Sequence, residues 1–354
     1  MKSKDYQEIL KKSKAFGKWI YITPVSGVIL TKAVKNEFQI NKVILISKDK
    51  LRRVRKRFGF KERLAELEKR SAHYRDFFNV ADTYAIAWYS GSPEEVLAFC
   101  RKLVRNELAI LTLSQLGYGK RKLGPYPTIQ GEGQTKRVQE FLYETNGERT
   151  RISGQVTGNL ENLALHGNWL RFQRDGFFAK LLKVLRGDIH VSKSWRESIE
   201  RASILIGQGL GSNDIAQSFL WNMIALESLF HEKNERFSDE FPKRAEAFLG
   251  WVGFWRIENY AKRIIELYGK RCDFVHEGKR DHITVEDLLF TDNLVFNLIN
   301  NVIQHIGLFS DKQSIIQFSK KVEAEYFLGV KPKIRPKTLS FMPKHYYDDD
   351  LKEV

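Results

Sequence analysis

The sequence predicts an α+β fold, with a mixed α/β N-terminal domain followed by an all-helical bundle. Three observations carry this. Runs of β-branched and aromatic residues recur before residue 90, apolar residues fall into helix-spaced stripes from residue 194 onward, and a glycine-rich stretch lies between these regions. At 354 residues the chain is long enough for two hydrophobic cores. The expected division is 1–190 as an α+β sensor or nucleic-acid-binding domain, 191–330 as the helical domain and 331–354 as an extended tail.

Residues 18–34 (KWIYITPVSGVILTKAV) read as two short strands about the turn marked by Pro24 and Gly27, and 42–47 (KVILIS) as another. Leu64, Leu67 and Tyr74 permit a helix, and 82–89 (DTYAIAWY) is strand-like. Ser92 and Pro93 supply an N-cap and first helical residue, with Glu94 and Glu95 favoured by the helix dipole; that helix should stop near Gly117. Five glycines and two prolines make 117–137 a loop, long enough to be a functional element. A hairpin turning at Asn146-Gly147 follows, then a basic amphipathic helix near 174–186.

Helices alone are predicted beyond this point. Ile199, Ala202, Ile206 and Leu210 share one side of the first, and Phe219, Met223, Leu226 and Phe230 one side of the second. A short helix is expected over Pro242–Phe248. The next should span Arg256–Val275 with Ile257, Ala261, Ile264, Ile265 and Tyr268 facing inward, ending at Glu277-Gly278. Thr284 and Asp287 form a capping-box pattern opening a helix that runs to about Leu308.

The balance of 59 Lys+Arg against 43 Asp+Glu, a formal charge of +16, favours a polyanionic partner, of which nucleic acid is the commonest large one. Arg52, Arg53, Arg55, Lys56 and Arg57 form a dense basic run, and Lys120, Arg121 and Lys122 lie in the glycine-rich loop; these are the candidate nucleic-acid contacts. Two cysteines, Cys100 and Cys272, offer neither a disulfide framework nor a CxxC metal site, so no metal or other cofactor and a reducing cytoplasm are expected. No apolar run is long enough for a membrane span, so no membrane partner is expected. G-x-S-x-G, GxGxxG and P-loop patterns do not occur, which argues against a serine hydrolase and a nucleotide-driven enzyme.

The segment YGKRCDFVHEG (268–278) holds Arg271 and His276 with four residues between them, and Tyr268 three residues before the Arg; the preceding major helix carries Trp221 and Glu227 in FLWNMIALESLF. An Arg-x4-His spacing alone is a weak signal in so basic a chain. With this context, residues 195–310 resemble the HEPN superfamily, and within it the Apea-like branch associated with anti-phage systems, where a helix bearing W…ALE is followed by one ending in Y-x-x-R-x4-HG. Here Cys272 replaces a residue that is often polar, and Glu277 displaces the Gly to 278.

The resemblance implies a HEPN-like dimerising bundle, a metal-independent endoribonuclease acting as a toxic effector, and Arg271 and His276 as the catalytic pair. Glu227, Tyr268 and Asp273 are the supporting residues. The chemistry is consistent with those residue types. A guanidinium can bind phosphoryl oxygens bidentately, and an imidazole can give or take a proton near neutral pH. Five residues along a helix, however, leave two side chains about 140° apart around its axis. Convergence on one phosphate therefore needs fraying before His276 or a second copy of the chain, and a homodimer with a composite site is expected. The bland readings are a helix-end His and an Arg paired with a nearby acid. The functional rival is a non-catalytic HEPN-type adaptor that dimerises or binds nucleic acid.

Overall fold

The computed structural model describes residues 19–54, 58, 63–70, 72–118, 121, 127–130, 132, 136–143, 150–157, 162–330 and 333–342. The fold is α+β, with a small, largely antiparallel set of strands at the N-terminal side and helices dominating the rest. Two compact units contain the described residues. One comprises those within Met1–Leu108 and Leu123–Gly167, the other those within Ala109–Lys122 and Asn168–Val354. The division thus falls at Gly167 rather than 190, and the second unit also takes a stretch near residue 115. The cause lies in helices α5 (Gly167–Asp175) and α6 (Phe178–Arg186), whose Trp169, Phe178, Leu181 and Leu185 are buried. Trp169 Nε1 donates to Ser114 Oγ at 3.3 Å, and Gln173 Nε2 to the Ser114 carbonyl at 2.8 Å.

The first unit is built on a five-stranded sheet in the order β3-β4-β5-β1-β6, all neighbours antiparallel. Its strands are β1 (Trp19–Ser26), β3 (Glu37–Gln39), β4 (Ile44–Ser47), β5 (Thr83–Tyr89) and β6 (Thr128–Ile129). Opposed pairs Ile44↔Ile86 and Ile46↔Tyr84 put alternate residues on one face, where Leu51, Phe58, Leu64 and Phe78 complete the core. Those residues come from or flank α1 (Lys48–Arg53), α2 (Leu64–Arg70) and α3 (Ala72–Asn79). β2 (Val28–Leu30), reached through a turn at Gly27 (φ 77°), pairs in parallel with β9 (Leu163–Leu165). The expected hairpin forms from β7 (Lys136–Tyr143) and β8 (Thr150–Thr157), with Tyr143 opposite Thr150; its Asn146-Gly147 turn lies outside the described residues. Helix α4 (Pro93–Leu113) opens with a reciprocal box, Glu95 N to Ser92 Oγ and Ser92 N to the Glu95 carboxylate.

In the second unit α7 (Lys193–Leu210) and α8 (Ile215–Phe230) form a closely packed helical hairpin. Both apolar stripes anticipated for them are buried. Helix α7 also approaches the end of α4 closely, at Ala109, where Gly207 carries no side chain. A Cβ at Gly207 would stand 1.8 Å from the Ala109 carbonyl oxygen, a backbone atom that cannot rotate away. Gly207→Ala should therefore destabilise the second unit by about 2 kcal/mol or more, overriding alanine's better helix propensity. Gly269→Ala, mid-helix with nothing within 4 Å of the added methyl, should instead stabilise by up to about 1 kcal/mol. Urea unfolding midpoints moving in opposite directions would bear this out.

The later helices are α9 (Phe237–Leu249), α10 (Gly253–Ile257), α11 (Tyr260–Glu277), α12 (Val285–Gln304) and α13 (Lys312–Phe327). Helix α9 begins five residues before the predicted Pro242, which lies inside it. The helix expected over Arg256–Val275 is divided, because Asn259 adopts a left-handed conformation (φ 47°). That break leaves Ile257 exposed, and within α11 the buried stripe is Tyr260, Ile264 and Leu267, which puts Ile265 on the exposed side. Helix α12 is buried on nearly every side, as suits a central helix. The Thr284–Asp287 capping box opens it.

The segment 333–342 of the expected tail is docked on this bundle. Glu325 accepts from the backbone N–H of Lys333 and Ile334, and Arg335 donates to the Glu246 and Ala247 carbonyls at the end of α9. Asn297 and Asn301 of α12 each bind main chain twice, at Met342 and Ser340 respectively. Four residues of helix rise about 6 Å, close to the advance of two extended residues, so the amides match this segment in register.

Candidate functional site

The site is built on the last two turns of α11. Arg271 lies on the flank turned toward the bundle, where its Nη2 donates to Glu227 Oε2 of α8 at 2.8 Å. Both side chains are 18% exposed, so the pair is mostly shielded but still touched by solvent. The Arg271 guanidinium carbon stands 5.8 Å from the centroid of the Tyr268 ring, which in turn lies 5.1 Å from Phe237. These contacts fix the guanidinium plane. Its Nε–H is shielded from water and has no acceptor among the described residues, an uncommon state for a native donor. Burial first, then Cys272 and the Glu227 carboxylate, hold the Tyr268 hydroxyl above its ordinary pKa, against the opposing pull of Arg271. That phenol is a neutral donor at the edge of the site.

His276 is exposed and lies within the helix, which continues to Glu277. Gly278 then takes the left-handed conformation (φ 69°). Its N–H and that of Lys279 bond the Phe274 and Asp273 carbonyls, a glycine-terminated helix end. No fraying precedes His276. The two candidate side chains therefore point about 140° apart, Arg271 toward Glu227 and His276 outward. Glu277 is paired with Lys279, whose hydrogen bond and charge hold its carboxyl below the usual range, with a smaller contribution from His276.

Around this turn the remaining charges are committed to structure. Asp273 Oδ2 lies 3.9 Å from His282 Nε2, beyond hydrogen-bond reach. Lys270 donates to Asp287 at 2.6 Å and to the His282 carbonyl at 2.9 Å, and Arg263 also binds Asp287. Arg280 pairs with Asp214, the N-cap of α8. The outward face of α11 combines His276 with exposed Ile265 and Val275 and with Gly269, beside which the space is open. No group of three or more His, Cys, Asp or Glu able to hold a metal occurs among the described residues.

The basic candidates fare differently. Arg53 is exposed, whereas Arg52 is paired with Glu68. Arg55, Lys56, Arg57, Lys120 and Lys122 lie outside the described residues. Arg121 is not a surface contact. Its side chain is 1% exposed and binds both Asp292 oxygens, at 2.9 and 2.7 Å, with Nη2 donating to the Gly209 carbonyl at 2.6 Å. Asn222 Nδ2 donates to the same carboxylate at 2.8 Å. A basic tripeptide in a glycine-rich loop looks solvated, and only the bundle core reveals the buried carboxylate that draws one member inward. The single sequence signal for it was Asp292 itself, an acid amid the apolar run of α12.

Among the described residues no helix is long and apolar enough to cross a membrane. Comparison with protein-family models, with curated proteins and with solved structures gave no match.

Proposed function

We propose that the helical unit is a HEPN-type, metal-independent endoribonuclease that works as a homodimer and serves as a toxic effector in anti-phage defence. The observation that carries this reading is Arg271, clamped between Glu227 and Tyr268 one and a half turns from an unobstructed His276 at a helix end. This is the constellation that the sequence resemblance implies, and it supplies fixed positive charge and a mobile proton carrier in one neighbourhood.

The diverging directions of the two side chains favour a composite site. In the proposed reaction a neutral His276 imidazole takes the 2′-OH proton of RNA, and O2′ attacks the adjacent phosphorus. The P–O5′ bond breaks, and the leaving O5′ takes a proton from the imidazolium of His276 in a second copy. The Arg271 guanidiniums bear on the non-bridging oxygens, where negative charge builds. The products are a 2′,3′-cyclic phosphate and a 5′-hydroxyl, with no net change in protons. The outward face of α11, with Ile265, Gly269 and Val275 around His276, supplies apolar surface that a second copy would cover.

Incubation of the full chain with end-labelled RNA, with and without EDTA, tests the proposal. EDTA-resistant cutting that leaves cyclic-phosphate ends supports it. Cutting that requires a divalent ion would point to a different nuclease chemistry. The engagement of Arg271 by Glu227 gives the adaptor reading its own footing, because a paired Arg can be a structural one. That reading expects RNA binding that weakens steeply with salt and yields no fragments.

A further inference from the structure

Exposed apolar side chains are concentrated at one end of the second unit. Trp251, Ile257, Phe327, Leu328, Val330 and Ile334 all face solvent, Ile257 at 82%, Phe327 at 92% and Leu328 at 71%. Three segments carry them, and named contacts hold those segments together. Arg256 Nη2 donates to the Tyr326 hydroxyl at 2.7 Å. The Arg335 guanidinium sits 5.6 Å from the centre of the same ring and also binds the carbonyls at the end of α9, just before Trp251. The result is a patch rather than scattered single residues, and such patches mark contact surfaces.

Its shape and charge indicate what it meets. Helix α13 ends at Phe327, and Gly329 (φ 63°) turns the chain straight after Leu328, so these two highly exposed side chains stand together at a turn. Exposed Arg256 and Lys333 flank it, and residues 333–337 (KIRPK) contain three cations and no acid. The nearest acids are exposed Glu258 beside Ile257, Glu323, which is paired with Lys243, and Glu325, which accepts from the Lys333 and Ile334 amides; Arg256, Lys333, Arg335 and Lys337 outnumber them. Projecting apolar groups enter a fluid acyl boundary without needing a complementary socket, and the cations beside them would meet lipid headgroups. A second copy is the less favoured occupant, because it would bring the same positive rim against this one.

We infer that this end of the second unit is a docking surface for an anionic lipid bilayer, with Phe327 and Leu328 as the inserting residues. The contact is adsorption onto a surface and requires no spanning helix. It is independent of the ribonuclease proposal.

Co-sedimentation of the full chain with phosphatidylcholine vesicles, with and without phosphatidylserine, tests it. Binding to the phosphatidylserine vesicles is expected, and Phe327→Ser combined with Leu328→Ser should weaken it about 10- to 100-fold. Because both side chains are exposed, the double variant should keep the wild-type unfolding midpoint. Lys333→Glu should weaken binding several-fold, and only where phosphatidylserine is present. Failure to sediment with either vesicle would overturn the inference. So would serine-lipid binding that the double variant leaves intact, since charge elsewhere would then be responsible. Self-association that the double variant abolishes, without vesicle binding, would overturn it in favour of a second copy.

Discussion

Arg271→Ala and His276→Ala should each lower EDTA-resistant RNA cleavage by about 10²- to 10⁴-fold, the range ordinarily lost with an acid–base group or a charge-stabilising donor. The dimer should survive both changes, since His276 is exposed and Arg271 contributes one ion pair that solvent still reaches. The two variants are distinguishable from simple unfolding by a third, Arg271→Lys. Lysine keeps the charge but lacks the planar fork, so it should restore Glu227 pairing and stability without restoring rate. Glu227→Gln tests positioning rather than chemistry. It should lower kcat with little change in the pH profile, because Glu227 acts on the substrate only through Arg271. If His276 serves as base in one copy and acid in the other, the rate should fall on both sides of an optimum, and mixed dimers of wild-type and His276→Ala chains should lose most of their activity, because one His276 cannot fill both roles. Cleavage undiminished in either single variant would end the assignment.

The largest stability effect is expected at the buried Arg121–Asp292 pair. Arg121→Leu leaves the Asp292 carboxylate, 1% exposed, with Asn222 as its remaining strong donor, and should cost about 3–5 kcal/mol. Asp292→Leu should cost a similar amount, because a guanidinium is then stranded against the Gly209 carbonyl alone. The double replacement removes both charges together with their desolvation penalties, so it should recover most of the loss and could equal the wild type. A double-mutant cycle from urea unfolding reads the coupling directly. Additive single losses would mean that the two groups do not depend on one another, contrary to the geometry.

Much of the helical unit was legible because its signals are local. The stripes Ile199–Leu210 and Phe219–Phe230 repeat at helical spacing and are buried, and Gly278 ends α11 where a left-handed residue is needed. Thr284 and Asp287 cap α12 reciprocally because a hydroxyl and a carboxylate three residues apart can reach each other's backbone N–H. Other features were not local and could not be read. Ile257 and Ile265 carry the same hydropathy as their buried neighbours, but Ile257 lies before the interruption at Asn259, and Ile265 lies off the stripe of Tyr260, Ile264 and Leu267 that the bundle covers. Helix α9 runs through Pro242, against the usual rule, with Phe237 and Phe241 stacked at 4.6 Å at its start. The docked segment 333–342 has no periodicity of its own, since its register is set by amides on another helix.

The sequence by itself determined the α+β class, the helical unit's stripes and caps, and the Arg271–His276 spacing, because each depends on residues within about one or two turns of one another. Tertiary structure alone decided which charges are available to a ligand. It buried Arg121 against Asp292, bound Arg52 to Glu68, set Arg271 on Glu227, and left His276 in the open. The reason is physical: a charged side chain takes the partner that the fold brings within a few ångströms, and such partners lie tens or hundreds of residues away along the chain.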